Sequence, residues 1–388
     1  MRRALAPLLL ASALAGCGGE GSPGSVATPA PSPTPSPSPS PSPSPTPPTT
    51  SVSATTVATF ESPWAMTFLP DGRLLVTEKG GRLSIVTDAG AKTVVGGTPS
   101  VVDAGQGGLL DVALDPQFNA TRRVYLSFAE AGSGGTGLAV ARGTLNSAGT
   151  ALENVSVISR QTPKISGDTR HFGGRMAFSP DGFLFVTSSE RHQGAPAQDL
   201  GGTLGKIVRL NLDGTTPSGN PFATTANARA EIWSLGHRNM YGLVFAADGR
   251  LFESEMGPEG GDEFNLITRG ANYGWRVVSE GNDGEVLPRH STRPEFAAPL
   301  VSWTPVISPS GMIQYTGTRF SGWNGDFVLG GLSSQALVRV RVTGSTASEV
   351  GRIAMGARIR EVEQGPDGAI WVLEDGAGGR LRRLVPGG

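Results

Sequence analysis

Four histidines, His171, His192, His237 and His290, are all the imidazoles in the chain. An imidazole is the natural general base near neutral pH, because its unperturbed pKa is about 6.5. His171 sits in Arg170-His171-Phe172-Gly173-Gly174-Arg175, directly before an apolar run. The paired glycines permit a ligand or a neighbouring strand to come close. A histidine hydrogen-bonded inside a loop fits the same residues equally well. The triplet His237-Arg238-Asn239 offers a fork of donors suited to a carboxylate or a developing oxyanion. The competing reading pairs Arg238 with a nearby carboxylate such as Glu253 or Glu255. Downstream, the run from Glu255 to Glu263, EMGPEGGDE, combines carboxylates with Gly and Pro turns that expose backbone carbonyls. Those are the ligands of hard cations such as Ca²⁺, although the spacing is not that of an EF-hand and a solvated acidic loop has the same composition. Finally, Arg358-Ile359-Arg360 alternates with a period of two. On a strand that puts both guanidinium groups on one face, either an anion site or a solvated surface.

These groups need a scaffold that turns them inward. No long amphipathic helical pattern is present. Short apolar or alternating runs recur instead, bounded by Asp-Gly, Gly-Gly and Pro-Asp-Gly turns, the signals of hairpins. FLPDGRLLVTEKGG from Phe68, FSPDGFLFVTSSE from Phe178, FAADGRLFESEMG from Phe245 and QGPDGAIWVLEDG from Gln364 are copies of one unit, and ALDPQFNATRRVYLSF from Ala113 is a weaker copy. The turn aspartates Asp71, Asp181, Asp248 and Asp367 are 110, 67 and 119 residues apart, so two intervals look like double steps. Residues 51–388 divided by six give a unit of roughly 56, which predicts an all-β fold, a six-bladed β-propeller with two of its repeats inferred from gaps. Loops at one end of such a ring converge on a central channel, where Glu78, Glu190 and Glu255 would collect.

The first fifty residues are of another kind. Arg2 and Arg3 precede a short apolar core, Leu5 to Ala15, too short to span a membrane. Leu14-Ala15-Gly16-Cys17 has the form of a bacterial lipobox, and Cys17 is the only cysteine in the chain. Residues 1–16 are thus expected to be a lipoprotein signal peptide and Cys17 the lipidated residue. Residues 17–50 are a Pro/Ser-rich tether that favours polyproline II, and 51–388 are the folded domain. Gly18 after the cysteine favours the outer membrane, on the periplasmic face, with the lipid as the sole membrane contact. The 32 Lys+Arg against 33 Asp+Glu leave no basic excess, which argues against a nucleic-acid partner.

Taken together, GQGGLLDVALDP (from Gly105), RHFGGRMAFSPDG (from Arg170), AQDLGGTLGKIVRLNLDGTTP (from Ala197), LGHRNMYGL (from Leu235), EMGPEGGDEFN (from Glu255), NYGW (from Asn272), SPSGMIQY (from Ser308) and RIREVEQGPDG (from Arg358) occur in an order that resembles the soluble pyrroloquinoline-quinone (PQQ)-dependent aldose sugar dehydrogenases, relatives of soluble quinoprotein glucose dehydrogenase. The likeness covers about residues 55–385. It implies a six-bladed propeller with PQQ in the channel mouth and Ca²⁺ beside it. It further implies that His171 takes the proton from the sugar C1 hydroxyl and that Arg238 stabilises charge on the quinone oxygen. Asn239, Ser308, Ser310, Arg358 and Arg360 would contact PQQ, Gly257 and Pro258 would give carbonyls to Ca²⁺, and Gln106 would line the sugar pocket. The implied activity is oxidation of an aldose at C1 to the lactone, with electrons passed to an external quinone or cytochrome by a monomer. In two places the chain departs from the glucose-oxidising branch. No lysine stands in Gly330-Gly331-Leu332-Ser333-Ser334-Gln335, and Arg170 replaces an Asp before the base. A sorbosone-type or other alcohol/aldehyde dehydrogenase and a noncatalytic sugar- or envelope-binding propeller are the alternatives. A lactonase is disfavoured because neither a nucleophile elbow nor a His/carboxylate metal cluster stands out, and His237 is expected to be structural.

Overall fold

The repeated Asp-Gly pairs owe their recurrence to local backbone chemistry. At three of the turns the aspartate Oδ1 accepts the N–H two residues on, from Arg73, Arg250 and Ala369, each at 3.1 Å. The glycine that follows takes a positive φ: +86° at Gly72, +84° at Gly249 and +78° at Gly368. An Asx turn followed by a left-handed residue reverses the chain tightly, and glycine enters that conformation without a Cβ penalty. Each turn therefore closes a hairpin between the first and second strand of a unit.

The computed structural model describes residues 51–387. Within them 24 strands form six four-stranded antiparallel sheets, blades 1 to 6. The innermost strands are Pro63–Phe68, Leu109–Leu114, Gly173–Phe178, Asn239–Phe245, Pro309–Gln314 and Ile359–Gln364. Each packs on the next around the channel, and the last packs on the first. Closure is completed by the segment Val52–Phe60, which forms the outer strand of blade 6 in antiparallel register, Val52 opposite Pro386 and Phe60 opposite Gly379. The expected six-bladed propeller is therefore the fold, with both wide intervals spanning a blade that lacks the Asp-Gly turn. In blade 2 the turn is a single helical turn, Phe118–Thr121, ended by Arg122 at φ +51°. In blade 5 it is a longer loop whose Phe320 and Trp323 fold over Tyr315. The signal segment, Cys17 and the tether lie outside the described residues.

Blades pack through aromatic and aliphatic layers, such as Phe252, Phe264 and Phe327 between blades 4 and 5. The inner strands all start at one end of the channel, and the Asp-Gly turns lie at the other. Each end holds a cavity. The one at the turn end measures about 610 Å³ and is lined by strand-end residues such as Phe68, Phe178 and Gln364. The one at the strand starts, here called the mouth, measures about 440 Å³. Between them stands Arg175. Its guanidinium pairs with Asp111 and Glu361, donates to the Tyr241 carbonyl and lies 4.2 Å over Trp64, so it ties blades 2, 3, 4, 6 and 1 together at the axis.

Candidate active site

The loops that enter the inner strands carry the candidate groups, because each such loop ends at the channel mouth. Gln106, Ser308, Arg358 and Arg360 line the mouth cavity directly, with Trp64, Tyr241 and Met256 as its apolar walls. Both arginines converge on one acid: Asp375 accepts from Arg358 Nε at 2.8 Å and from Arg360 Nε at 2.8 Å. That is the same-face arrangement expected from their alternation. Two guanidinium groups against one carboxylate leave the wall net positive. Lys79 lines the cavity from blade 1, its Nζ 2.6 Å from the Gly105 carbonyl and 3.5 Å from Asp103 Oδ1. No lysine stands in the 330–335 loop of blade 5, and the mouth draws one from blade 1 instead.

His171 stands just behind Gln106, in the left-handed region at φ +51°. Such a conformation is uncommon and strained for a non-glycine residue. It is held from three sides. Its N–H donates to Gln106 Oε1 at 2.7 Å, its carbonyl accepts from Arg191 at 3.1 Å, and its Nδ1 lies 2.5 Å from Glu190 Oε1. Glu190 is buried, and its second oxygen accepts the Gly194 N–H at 2.7 Å. A carboxylate there requires Nδ1 to carry the proton, which leaves the Nε2 lone pair unused by the protein. Burial pushes the His171 pKa below its ordinary value. The Glu190 bond opposes that shift and the charge of Arg238 adds to it. Burial raises the Glu190 carboxyl, but His171, Gly194 and Arg238 outweigh it, and the net shift is downward. The paired glycines after His171 serve the neighbouring strands rather than a ligand. A Cβ on Gly173 would meet Ser189, and one on Gly174 would meet Ser127 and Leu110. Glu190 was placed at this end by its repeat position, but its bond to His171 carries no local signal.

Arg238 does not pair its guanidinium with Glu253 or Glu255. Its Nη1 donates to the carbonyls of Met256 (2.9 Å) and Gly257 (2.8 Å), while its backbone N–H donates to Glu255 Oε2 at 2.8 Å. Its Nε is buried without a partner, and so is Asn239 Oδ1 next door. The loop that carries Gly257 and Pro258 is pinned by Asp262. Oδ1 of this residue accepts from Gly257 N–H at 2.9 Å and Oδ2 accepts from Ile307 (2.7 Å) and Ser308 (2.6 Å). Asp262 was not singled out in the sequence, because only the third dimension shows that it joins blades 4 and 5. The carbonyls of Met256 and Gly257 already converge on a cationic group, the donor chemistry that a Ca²⁺ ligand needs. Ser310 is not part of the mouth. It is fully buried and its hydroxyl donates to the carbonyls of Ile359 (2.6 Å) and Gly330 (3.1 Å), where it joins blades 5 and 6. Asn239 lies behind Met256, with its Nδ2 3.6 Å from the sulfur. The structure thus gathers His171, Gln106, Arg238, Ser308, Arg358 and Arg360 at one end, and turns Ser310 away.

A net-positive pocket of this size, with a histidine held by a carboxylate and an arginine with an orphaned donor, suits an anionic cofactor and a proton-accepting step. Comparisons with known proteins give the family. Residues 60–383 match the family described as glucose / sorbosone dehydrogenase. The chain is 38% identical over 336 residues to the aldose sugar dehydrogenase YliI of Escherichia coli, a match that covers 84% of this chain and 90% of the relative. The apo-form crystal structure of the soluble E. coli aldose sugar dehydrogenase superposes with a TM-score of 0.82 at 36% identity, over 87% of this chain and 100% of the other. The PQQ-bound aldose sugar dehydrogenase of Streptomyces coelicolor does so with a TM-score of 0.72 at 30% identity, over 87% and 99%.

Proposed function

This chain belongs to the glucose / sorbosone dehydrogenase family, and we propose that it is a PQQ- and Ca²⁺-dependent enzyme that oxidises an aldose at C1 to the lactone. PQQ-dependent sugar dehydrogenation is the activity that its relatives' names carry. The observation that carries the finer reading is the His171–Glu190 pair set behind Gln106 at a net-positive mouth. When bound, PQQ supplies a two-electron acceptor for the C1 hydride, with its quinone carbonyl polarised by Ca²⁺. The protein does the rest. Arg358 and Arg360 hold carboxylate groups against one wall, with Asp375 fixing both guanidinium groups. Ser308 offers its hydroxyl at the same wall. His171 Nε2 accepts the proton of the C1 hydroxyl, and Glu190 stabilises the imidazolium so formed. Arg238 supplies positive charge from within a buried, low-dielectric setting, where such electrostatics count most. Gln106 connects base and pocket, because its Oε1 also accepts from the Tyr241 hydroxyl at 3.2 Å. Gly257 and Pro258 are the carbonyl donors for the cation, with Asp262 keeping their loop in place.

Electrons leave to an external quinone or cytochrome, and the enzyme works as a monomer on the periplasmic face. Support for that location comes from the lipobox-like Leu14–Cys17 segment and the Pro/Ser tether. The test is reconstitution of the apoprotein with PQQ and Ca²⁺, followed by a panel of aldoses, sorbosone and simple alcohols with an artificial dye. Dye reduction by aldoses is expected. A positive result confined to alcohols or sorbosone would move the substrate class, and no reduction at all would overturn the enzyme reading. His171→Ala should abolish turnover and leave the PQQ absorption change on binding intact. A sugar-binding propeller without catalysis would instead bind sugar equally in both forms and reduce nothing.

A further inference from the structure

Below the mouth, blade 4 holds a group of buried side chains that none of the steps above employs. The strand Leu251–Met256 places Glu253 and Glu255 on one face, two residues apart. The turn before the inner strand brings His237 against them. His237 and Glu253 are fully buried and Glu255 is 4% exposed. One ring nitrogen of His237, one oxygen of Glu253 and one of Glu255 all lie within 4.8 Å of one another. His237 Nδ1 is 3.6 Å from Glu255 Oε2, too far for a hydrogen bond. Among the described residues it has no other partner, and neither do Glu253 Oε1 and the nearby Asn265 Oδ1. Three orphaned polar atoms in one place are costly, since each forfeits its hydration without replacement.

Among the described residues no cation resolves this: Lys206 Nζ is taken by the carbonyls of Pro196, Ala197 and Leu204. The Arg238 guanidinium is engaged by the carbonyls of Met256 and Gly257, and His290 is held between Glu280 and the Tyr273 carbonyl. The imidazole, however, is prepared as a ligand. Its Nε2 is 2.9 Å from Ser234 Oγ, so that an Nε2–H donated to the hydroxyl leaves a lone pair on Nδ1. The ring stacks on Tyr273 at 4.6 Å and 24°, which fixes its direction.

We propose that His237, Glu253 and Glu255 form a structural site for a divalent cation of the Zn²⁺ class, with Asn265 Oδ1 as a neighbouring oxygen donor. Ligand bonds of about 2.0–2.2 Å put two donors of one ion at most roughly 4.4 Å apart, so a small side-chain adjustment closes this set. The imidazole nitrogen selects against Ca²⁺, which takes oxygen ligands, and in favour of borderline ions. The site is separate from the carbonyls of Gly257 and Pro258 and does not depend on the PQQ reading. Its consequence is mechanical. The ion binds the His237 turn to the second strand of blade 4, and Glu255 also receives the Arg238 backbone N–H, so the ion fixes the base of Arg238.

The experiment uses full-length protein purified with Zn²⁺ in the medium and then dialysed against a Ca²⁺-selective chelator. Elemental analysis should find about one Zn²⁺ per chain, and Glu253→Gln and His237→Gln should each weaken its retention by about 10- to 100-fold. Glu253→Gln is nearly isosteric and keeps the polar contact to Asn265 within reach, so the variant is expected to fold. In stripped wild type, added Zn²⁺ should raise Tm, and the same addition should leave the Tm of Glu253→Gln unchanged. The proposal is overturned if wild type retains no Zn²⁺, if both variants retain it undiminished, or if Ca²⁺ displaces Zn²⁺ from the site in direct competition.

Discussion

At the scale of the residue, the chemistry turns on which nitrogen of His171 is free. Glu190 accepts at Nδ1, and Nε2 is left for the substrate. Glu190→Gln can offer an N–H to Nδ1 and so favour the wrong tautomer. It should lower kcat by about 10²- to 10⁴-fold while PQQ binding, read by absorption, is preserved. Equal kcat in the two forms would show that the carboxylate does not orient the base. Burial, reinforced by Arg238 and opposed by Glu190, lowers the His171 pKa, so the base form persists on the acid side of neutrality. The rising limb of kcat/KM against pH should therefore inflect below about 6.5. An inflection above that value would assign the limb to another group. Residue type alone suggested His171 as a base, yet the same logic applied equally to the other three histidines. What separates them is surroundings. His237 is sealed beside carboxylates and His290 is locked between Glu280 and a carbonyl.

At the scale of the element, the loop that follows the second strand of blade 4 owes its shape to one carboxylate. Asp262 accepts three backbone N–H groups, from Gly257, Ile307 and Ser308. Asp262→Ala would leave all three donors unpaired, at a cost of about 3 kcal/mol or more in unfolding free energy by urea titration. It should also weaken Ca²⁺ affinity, because Gly257 and Pro258 would no longer be held. A variant that keeps both its urea midpoint and its Ca²⁺ affinity would remove Asp262 from this role. The glycines here are also structural necessities. A Cβ on Gly257 would come within 2.3 Å of the Gly260 and Gly261 carbonyls. The Gly, Pro and acidic content marks the loop in the sequence, where its carboxylates have the composition of cation ligands or of a solvated loop. Asp262 instead acts on the backbone of two blades, a role that leaves no mark on the order of residues.

For the molecule as a whole, ring closure and the axial Arg175 set stability. Glu361 is buried at the axis. Burial raises its pKa to about 7 against the opposing effect of Arg175. A carboxyl whose folded pKa exceeds its unfolded value of 4.5 contributes stability that is complete below that value and is lost as pH rises through about 7. Tm should thus fall between about pH 5 and pH 8, and Glu361→Gln should flatten that slope even as it loses the ion pair with Arg175. An unchanged slope in the variant would assign the dependence to other buried acids.

The chain by itself determined everything that depends on neighbours along the backbone. Asp-Gly turns, strand alternation and the unit of roughly 56 residues are local, because an Asx turn is closed by the N–H two residues on. They sufficed for six blades, and they placed the loops that enter the inner strands, hence His171, Arg238, Ser308 and Arg358, at one end. Local pattern does not say where a side chain points once the ring closes. Ser310, in the same motif as Ser308, turns its hydroxyl to the carbonyls of the next blade, and Lys79 reaches the mouth from blade 1. A His/carboxylate cluster, absent from the linear reading, assembles at His237, Glu253 and Glu255. The decisive bonds join residues 65 apart at Gln106–His171 and 186 apart at Arg175–Glu361. Such partners have no spacing in common, because they meet only where the closed ring brings the inner strands of different blades around a single axis.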